Sequence, residues 1–137
     1  MKKLSVIFLA SMAFTACSDN KKQEKELLDK ILKVHDKVMG KDEALMKNKM
    51  ALDSLLKLSA KDTAEKTNMK AMELKLTAAE EGMELWMQKF DPDIINKKSH
   101  DEVVNYYNEQ EKSIKSVDSL MNAAVDESTK YLSNRSK

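Results

Sequence analysis

One cysteine, one proline and two glycines stand in a chain of 137 residues. Each scarcity closes a class of function. Cys17 alone cannot form an intramolecular disulfide, nor a zinc or iron–sulfur site built from several cysteines. Gly40 and Gly82 are isolated and cannot build a phosphate-cradling loop. Neither sign of charge prevails, with 24 lysines and arginines against 23 acids and a formal charge of +1. Nucleic-acid binding needs a basic face, so no nucleic-acid partner is expected. Zincin (HExxH), serine-hydrolase (GxSxG) and di-iron Glu-x-x-His motifs are absent. His35 and His100 fall on different predicted helices, and Asp91 and Asp93 flank Pro92 as turn residues. A non-enzymatic protein is the expectation.

Lys, Glu, Leu, Met and Ala dominate what is present, the composition of long helices. Lys2 and Lys3 precede an apolar run of 11 residues, Leu4 to Phe14. That length suits the core of a secretory signal and is too short to span a bilayer. Thr15 and Ala16 are small, and Cys17 follows directly.

Residues 1–17 resemble a bacterial lipoprotein signal with its lipobox, Phe14 standing where an aliphatic residue is more usual. The resemblance implies acylation of the Cys17 thiol and cleavage just before it. The expected parts are a signal peptide at 1–16, a lipidated polar tether at 17–24 and one helical domain at 25–137. Cleavage removes two cations and no acid, so the mature chain carries one net negative charge. Membrane attachment then comes from fatty acid, palmitate among them, rather than from a polybasic patch. Ser18-Asp19 partly resembles the Ser-plus-acidic signal that sends some Bacteroidota lipoproteins to the cell surface. The implied place is the envelope, anchored to the outer membrane and facing the periplasm or the surface.

Apolar spacing predicts three helices, at about 22–58, 63–91 and 99–133. In the first, Leu28, Ile31, His35, Val38, Asp42, Leu45, Lys49, Leu52 and Leu56 recur at alternating threes and fours. Gly40 is a candidate bend, with Asp42 restarting the helix as its N-cap. The second carries Met69, Met72, Leu76, Ala79, Met83, Trp86 and Phe90, and Pro92 stops it. Asp62 is its candidate cap. Ser99 to Glu102 reads as a capping box. The third helix carries Val103, Tyr107, Gln110, Ile114, Val117, Met121, Ala124, Ser128 and Tyr131. The expected fold is all-α: an elongated antiparallel three-helix bundle or coiled coil.

Ten methionines are unusual for this length, and eight survive cleavage. If the chain reverses near Lys61 and near Ile95, Met39 faces Met83, His35 faces Met87, Gly40 faces Gly82 and Tyr107 approaches Met83. His35, Met39, Met83, Trp86, Met87 and Tyr107 then share one level, with Phe90 nearby. Two readings stand. The thioethers fill gaps in a core poor in aromatics, with Trp86 as its anchor and His35 fixing register. Alternatively His35, Met39, Met83 and Met87 form a soft site for Cu(I) or Ag(I), shielded by Trp86. No other cofactor is indicated.

His35-Asp36-x-Val38-Met39 and Trp86-Met87-x-x-Phe90-x-Pro92 resemble motifs of small helical lipoproteins of Bacteroidota. Some of those carry the label "viral A-type inclusion protein", a name that reflects coiled-coil composition. The resemblance brings no established activity and assigns no functional residue. Three functions are therefore carried forward. One is an envelope module that binds a protein partner or a second copy of itself. The second is a soft-metal or small-ligand binder. The third is a chaperone-like stress protein with an adaptable Met-rich groove.

Overall fold

The computed structural model describes residues 13–58 and 63–135, with side chains from Asp19 onward. The signal segment 1–16 lies largely outside the described residues, and so does the side chain of Cys17. The candidate cap Asp62 lies outside them too. Four helices follow in order: α1 (Ala13–Met39), α2 (Asp42–Leu58), α3 (Thr63–Lys89) and α4 (His100–Arg135). A short 3-10 turn, Ile94–Asn96, precedes α4. Among the described residues there is no strand, and no helix is long and apolar enough to cross a membrane. The architecture is an all-α helical bundle.

α1 and α2 are one rod with a flaw. Lys41 N–H bonds to Val38 three residues back, whereas Gly40 N–H still bonds to Asp36 four back. One tightened turn thus interrupts the α-helix. Gly40 does not adopt a positive φ. The carbonyl of Lys41 accepts the first bond of α2, from Leu45 N–H. Lys41 therefore sits at the N-cap, and Asp42 is the first residue inside the helix rather than its cap. The flaw costs no register. Lys37 to Asp118, Lys41 to Asn122 and Asn48 to Thr129 each join residues 81 apart, so the whole rod runs parallel to α4.

α3 runs antiparallel to both neighbours. Lys49 of α2 pairs with Glu80, and Lys75 pairs with Glu127 of α4 at 2.6 Å. At the far end Arg135 reaches Glu65 and lies over the Tyr131 ring. α2 packs against both α3 and α4, whereas α1 packs chiefly against α4.

The predicted seam of α3 is buried from Met69 to Trp86, with Phe90 half-buried. In α4, Val103, Tyr107, Ile114, Val117, Met121, Ala124 and Ser128 are buried as expected, joined by Val125. The rod departs from expectation. Its central row is Ile31, Val38, Leu45 and Leu52. The row flanking it toward α4 is Leu27, Val34, Asn48 and Leu55, not the expected His35, Asp42 and Lys49. Those polar residues lie on the edge toward α3, where Lys49 finds Glu80 and His35 finds Trp86. A helix touching two neighbours buries a band wider than a two-stranded seam, and a single heptad row misses half of it.

The start of α4 is capped at Ser99. Its N–H and its hydroxyl both donate to the Glu102 carboxylate, at 3.1 and 2.7 Å. These bonds, with Lys98 nearby, hold the Glu102 carboxyl down at about 2. A carboxyl held below its ordinary value of 4.5 stabilises the fold above that pH. The contribution then fades as pH falls from there toward about 2. The Glu102→Gln variant should show a flatter fall of melting temperature across that window than the parent chain. Equal slopes in both proteins would refute the cap.

Candidate functional site

Aromatic residues, scarce in the sequence, are gathered at one end of α3. The His35 ring lies 5.9 Å from that of Trp86, tilted by 39°. Trp86 stacks on Phe90 at 4.7 Å, and Phe90 on Tyr106 at 6.3 Å. Tyr107 follows at 5.8 Å from Tyr106. The i, i+4 spacing of Trp86 and Phe90 places both rings on one face of α3. Tyr106 closes that helix, its oxygen accepting from Asp91 N–H at 2.7 Å and lying 3.4 Å from the Lys89 carbonyl.

Tyr106 was invisible to periodic reasoning, because it lies off the seam that Tyr107 occupies. Its only signal is adjacency to Tyr107 and closeness in sequence to the turn at Pro92. Tyr107 itself is fully buried, with its hydroxyl 3.4 Å from the Pro92 carbonyl. Burial, reinforced by the negative charge of Glu24, pushes that hydroxyl above its ordinary pKa. It stays a neutral donor.

The expected approach of Tyr107 to Met83 is corrected. Gly82 faces Val117 of α4, where a Cβ would meet the valine methyl at 3.9 Å, and it does not pair with Gly40. The α3–α4 register is displaced from expectation by about two and a half turns. The cause lies between the helices. α3 ends at Lys89, but the chain runs on past Asp91 and Pro92 and reverses only at Ser99. Asp91 stabilises that excursion, accepting from Asp93 N–H and from Lys97. The Lys97 ammonium holds the Asp91 carboxyl below its usual range. The overhanging first turn of α4 then meets α1, where His100 contacts Glu24 at 2.8 Å.

The methionines converge as the first turn predicts. Met39, Met83 and Met87 line one cavity of about 100 Å³, together with Met121, which the sequence reading left in the core seam. Val38, Asp42, Glu80 and Glu84 complete its wall. His35 is not part of that wall. Its ring rests against Trp86, with Nδ1 3.1 Å from Asp36. Trp86 is 5% exposed, and its indole N–H has no hydrogen-bond partner among the described residues. Among the same residues, no three His, Cys, Asp or Glu side chains converge in a metal-binding arrangement. A larger hollow of about 590 Å³ lies along α4 alone, between Asn105 and Lys115. It is the polar face of a single helix and brings no groups together.

The exposed large apolar residues form rows, one of which runs into this site at Met39. Leu32, Met39 and Met46 recur every seventh residue along α1 and α2, and Met50 follows one turn later. They are between 40% and 68% exposed. On α3, Leu74 and Leu85 point away from the core. No family model matches the chain, and neither does any curated protein or solved structure.

Proposed function

We propose that this chain is a lipid-anchored envelope lipoprotein whose helical domain is a non-enzymatic interaction module for a protein partner or a second copy. The observation that carries the module is the row Leu32, Met39, Met46 and Met50. Leu32, Met39 and Met46 recur at heptad spacing and Met50 follows one turn later, all of them exposed, with Met39 at the edge where the row meets the methionine cavity. Such a row is the binding register of another amphipathic helix. Thioethers suit the task, since an unbranched polarizable side chain repacks against differing surfaces.

The anchor rests on residues 1–17. Lys2, Lys3, the 11-residue apolar run and the small residues before Cys17 resemble a lipoprotein signal, with Phe14 the one departure. The polar tether that follows would hold the bundle in water beside the membrane.

Two measurements test the reading. Cells fed an alkyne-bearing fatty acid should label the parent chain, and Cys17→Ser should abolish both the label and membrane retention. Label that survives in the Cys17→Ser chain would refute the anchor. A photo-crosslinking residue placed at Met50 should give a discrete adduct in intact cells, at twice the chain mass for self-association. The same residue at exposed Ser113 of α4 should give none. Equal adducts at both positions would sink the module.

A further inference from the structure

We propose that the cavity between the α1–α2 rod and α3 binds a soft monovalent cation, Cu(I) or Ag(I), through the thioethers of Met39, Met83, Met87 and Met121. This goes beyond an interaction module and does not depend on it. The four residues come from three helices, α1, α3 and α4. Heptad spacing explains why each helix carries methionine on its inner side. It does not explain why all four side chains meet at one void.

Exposure divides the four by role. Met83 and Met121 are 4% and 2% exposed and form the floor. Met39 and Met87 are 41% and 43% exposed and form the mouth. Here about 100 Å³ stays open, well above the volume one water needs. Two flexible apolar side chains also stand half in water at its entrance. A cleft with a buried thioether floor and a half-exposed thioether mouth can admit an ion from solvent.

Ligand chemistry selects the ion. Thioether sulfur is a soft, neutral donor and favours Cu(I) over hard or borderline divalent ions. The absence of a convergent set of His, Cys and carboxylate groups among the described residues leaves sulfur as the common donor. Neutral ligands leave the ion's charge uncompensated. Asp42 and Glu84 in the same wall offset it, while Glu80 is engaged by Lys49. Monovalent charge suits this modest acidic excess.

The test uses the whole chain in detergent with Cys17→Ser, which removes the only thiol. Ag(I) is titrated in chloride-free buffer while the fluorescence of Trp86, the single tryptophan, is followed. Native mass spectrometry counts the bound ions. The expected result is a saturable change with one ion per chain, absent with Zn(II) and sodium. Met83→Leu combined with Met121→Leu conserves volume and keeps the fold. That variant should bind more weakly by about tenfold or more, since even a supporting group costs that much at metal sites. Asp42→Asn with Glu84→Gln should weaken it less. No bound ion, or affinity unchanged in the Met83→Leu/Met121→Leu chain, overturns the proposal.

Discussion

Replacing Trp86 by alanine is expected to cost about 3–5 kcal/mol of folding stability, the range for truncating a buried aromatic side chain. In a domain of this size that lowers the melting temperature by roughly 10–20 °C. Trp86 is 95% buried by its residual exposure of 5%, and it carries two ring contacts, to His35 and to Phe90. Each such contact adds about 0.5–1.5 kcal/mol beyond area burial. Trp86→Phe should behave differently. The indole N–H is buried without a partner, and a buried donor left unmade costs about 1–3 kcal/mol. Phenylalanine forfeits part of the volume but also removes that donor. The two effects offset, so its stability should lie within about 1.5 kcal/mol of the parent chain. Chemical denaturation of the three proteins decides the matter. If Trp86→Phe is as damaging as Trp86→Ala, the orphan donor is no liability and ring volume alone holds this end of the bundle.

Legibility of the fold followed how free of polar residues each buried row is. α3 carries a single row from Met69 to Trp86 with no polar interruption, and that row could be read directly. The rod, like α3, faces two helices, but its rows mix polar and apolar residues. A heptad reading placed Lys49 in its seam, whereas Asn48 is the buried residue. Flanked by Lys47 and Lys49, Asn48 looks like a surface position; only the hydroxyls of Ser128 and Thr129 across α4 explain its burial. Contacts with a distant partner leave no trace in local spacing. The candidate site shows the same division. Met39, Met83 and Met87 could be grouped because one turn sets the rod against α3. Met121 and Tyr106 could not, because their placement depends on where the chain reverses after α3. The ten residues from Phe90 to Ser99, irregular apart from the short 3-10 turn, fix that point, and periodicity is silent there.

Asn48→Asp tests the buried polar cluster and should cost about 3–5 kcal/mol at neutral pH, the range for an uncompensated buried charge. The Asn48 side-chain amide donates to Ser128 Oγ and Thr129 Oγ1, both at 2.8 Å, and lies 3.4 Å from the Val125 carbonyl. A carboxylate donates nothing and would face that carbonyl with like charge. Ser128 offers little relief, because its hydroxyl already donates to the Ala124 carbonyl at 2.7 Å. Desolvation raises the folded-state pKa of such an acid above its unfolded value of about 4. The unfolded chain therefore releases its proton first. The penalty is small at acid pH, grows as pH rises above about 4, and levels off once the folded carboxyl has also ionised. Asn48→Leu is the informative contrast. Ser128 stays bonded to its own helix and Thr129 is solvent-exposed, so neither is orphaned. Stability should then change little, but the polar contact that fixes α2 against α4 is lost. Amide NMR spectra should show that loss as extra or broadened peaks along α2. An Asn48→Asp chain as stable as the parent at pH 7, with no growing deficit between acid and neutral pH, would mean that Asn48 stands in water. The 81-residue register between the rod and α4 would then rest on apolar packing and on the outer contacts of Lys37 and Lys41.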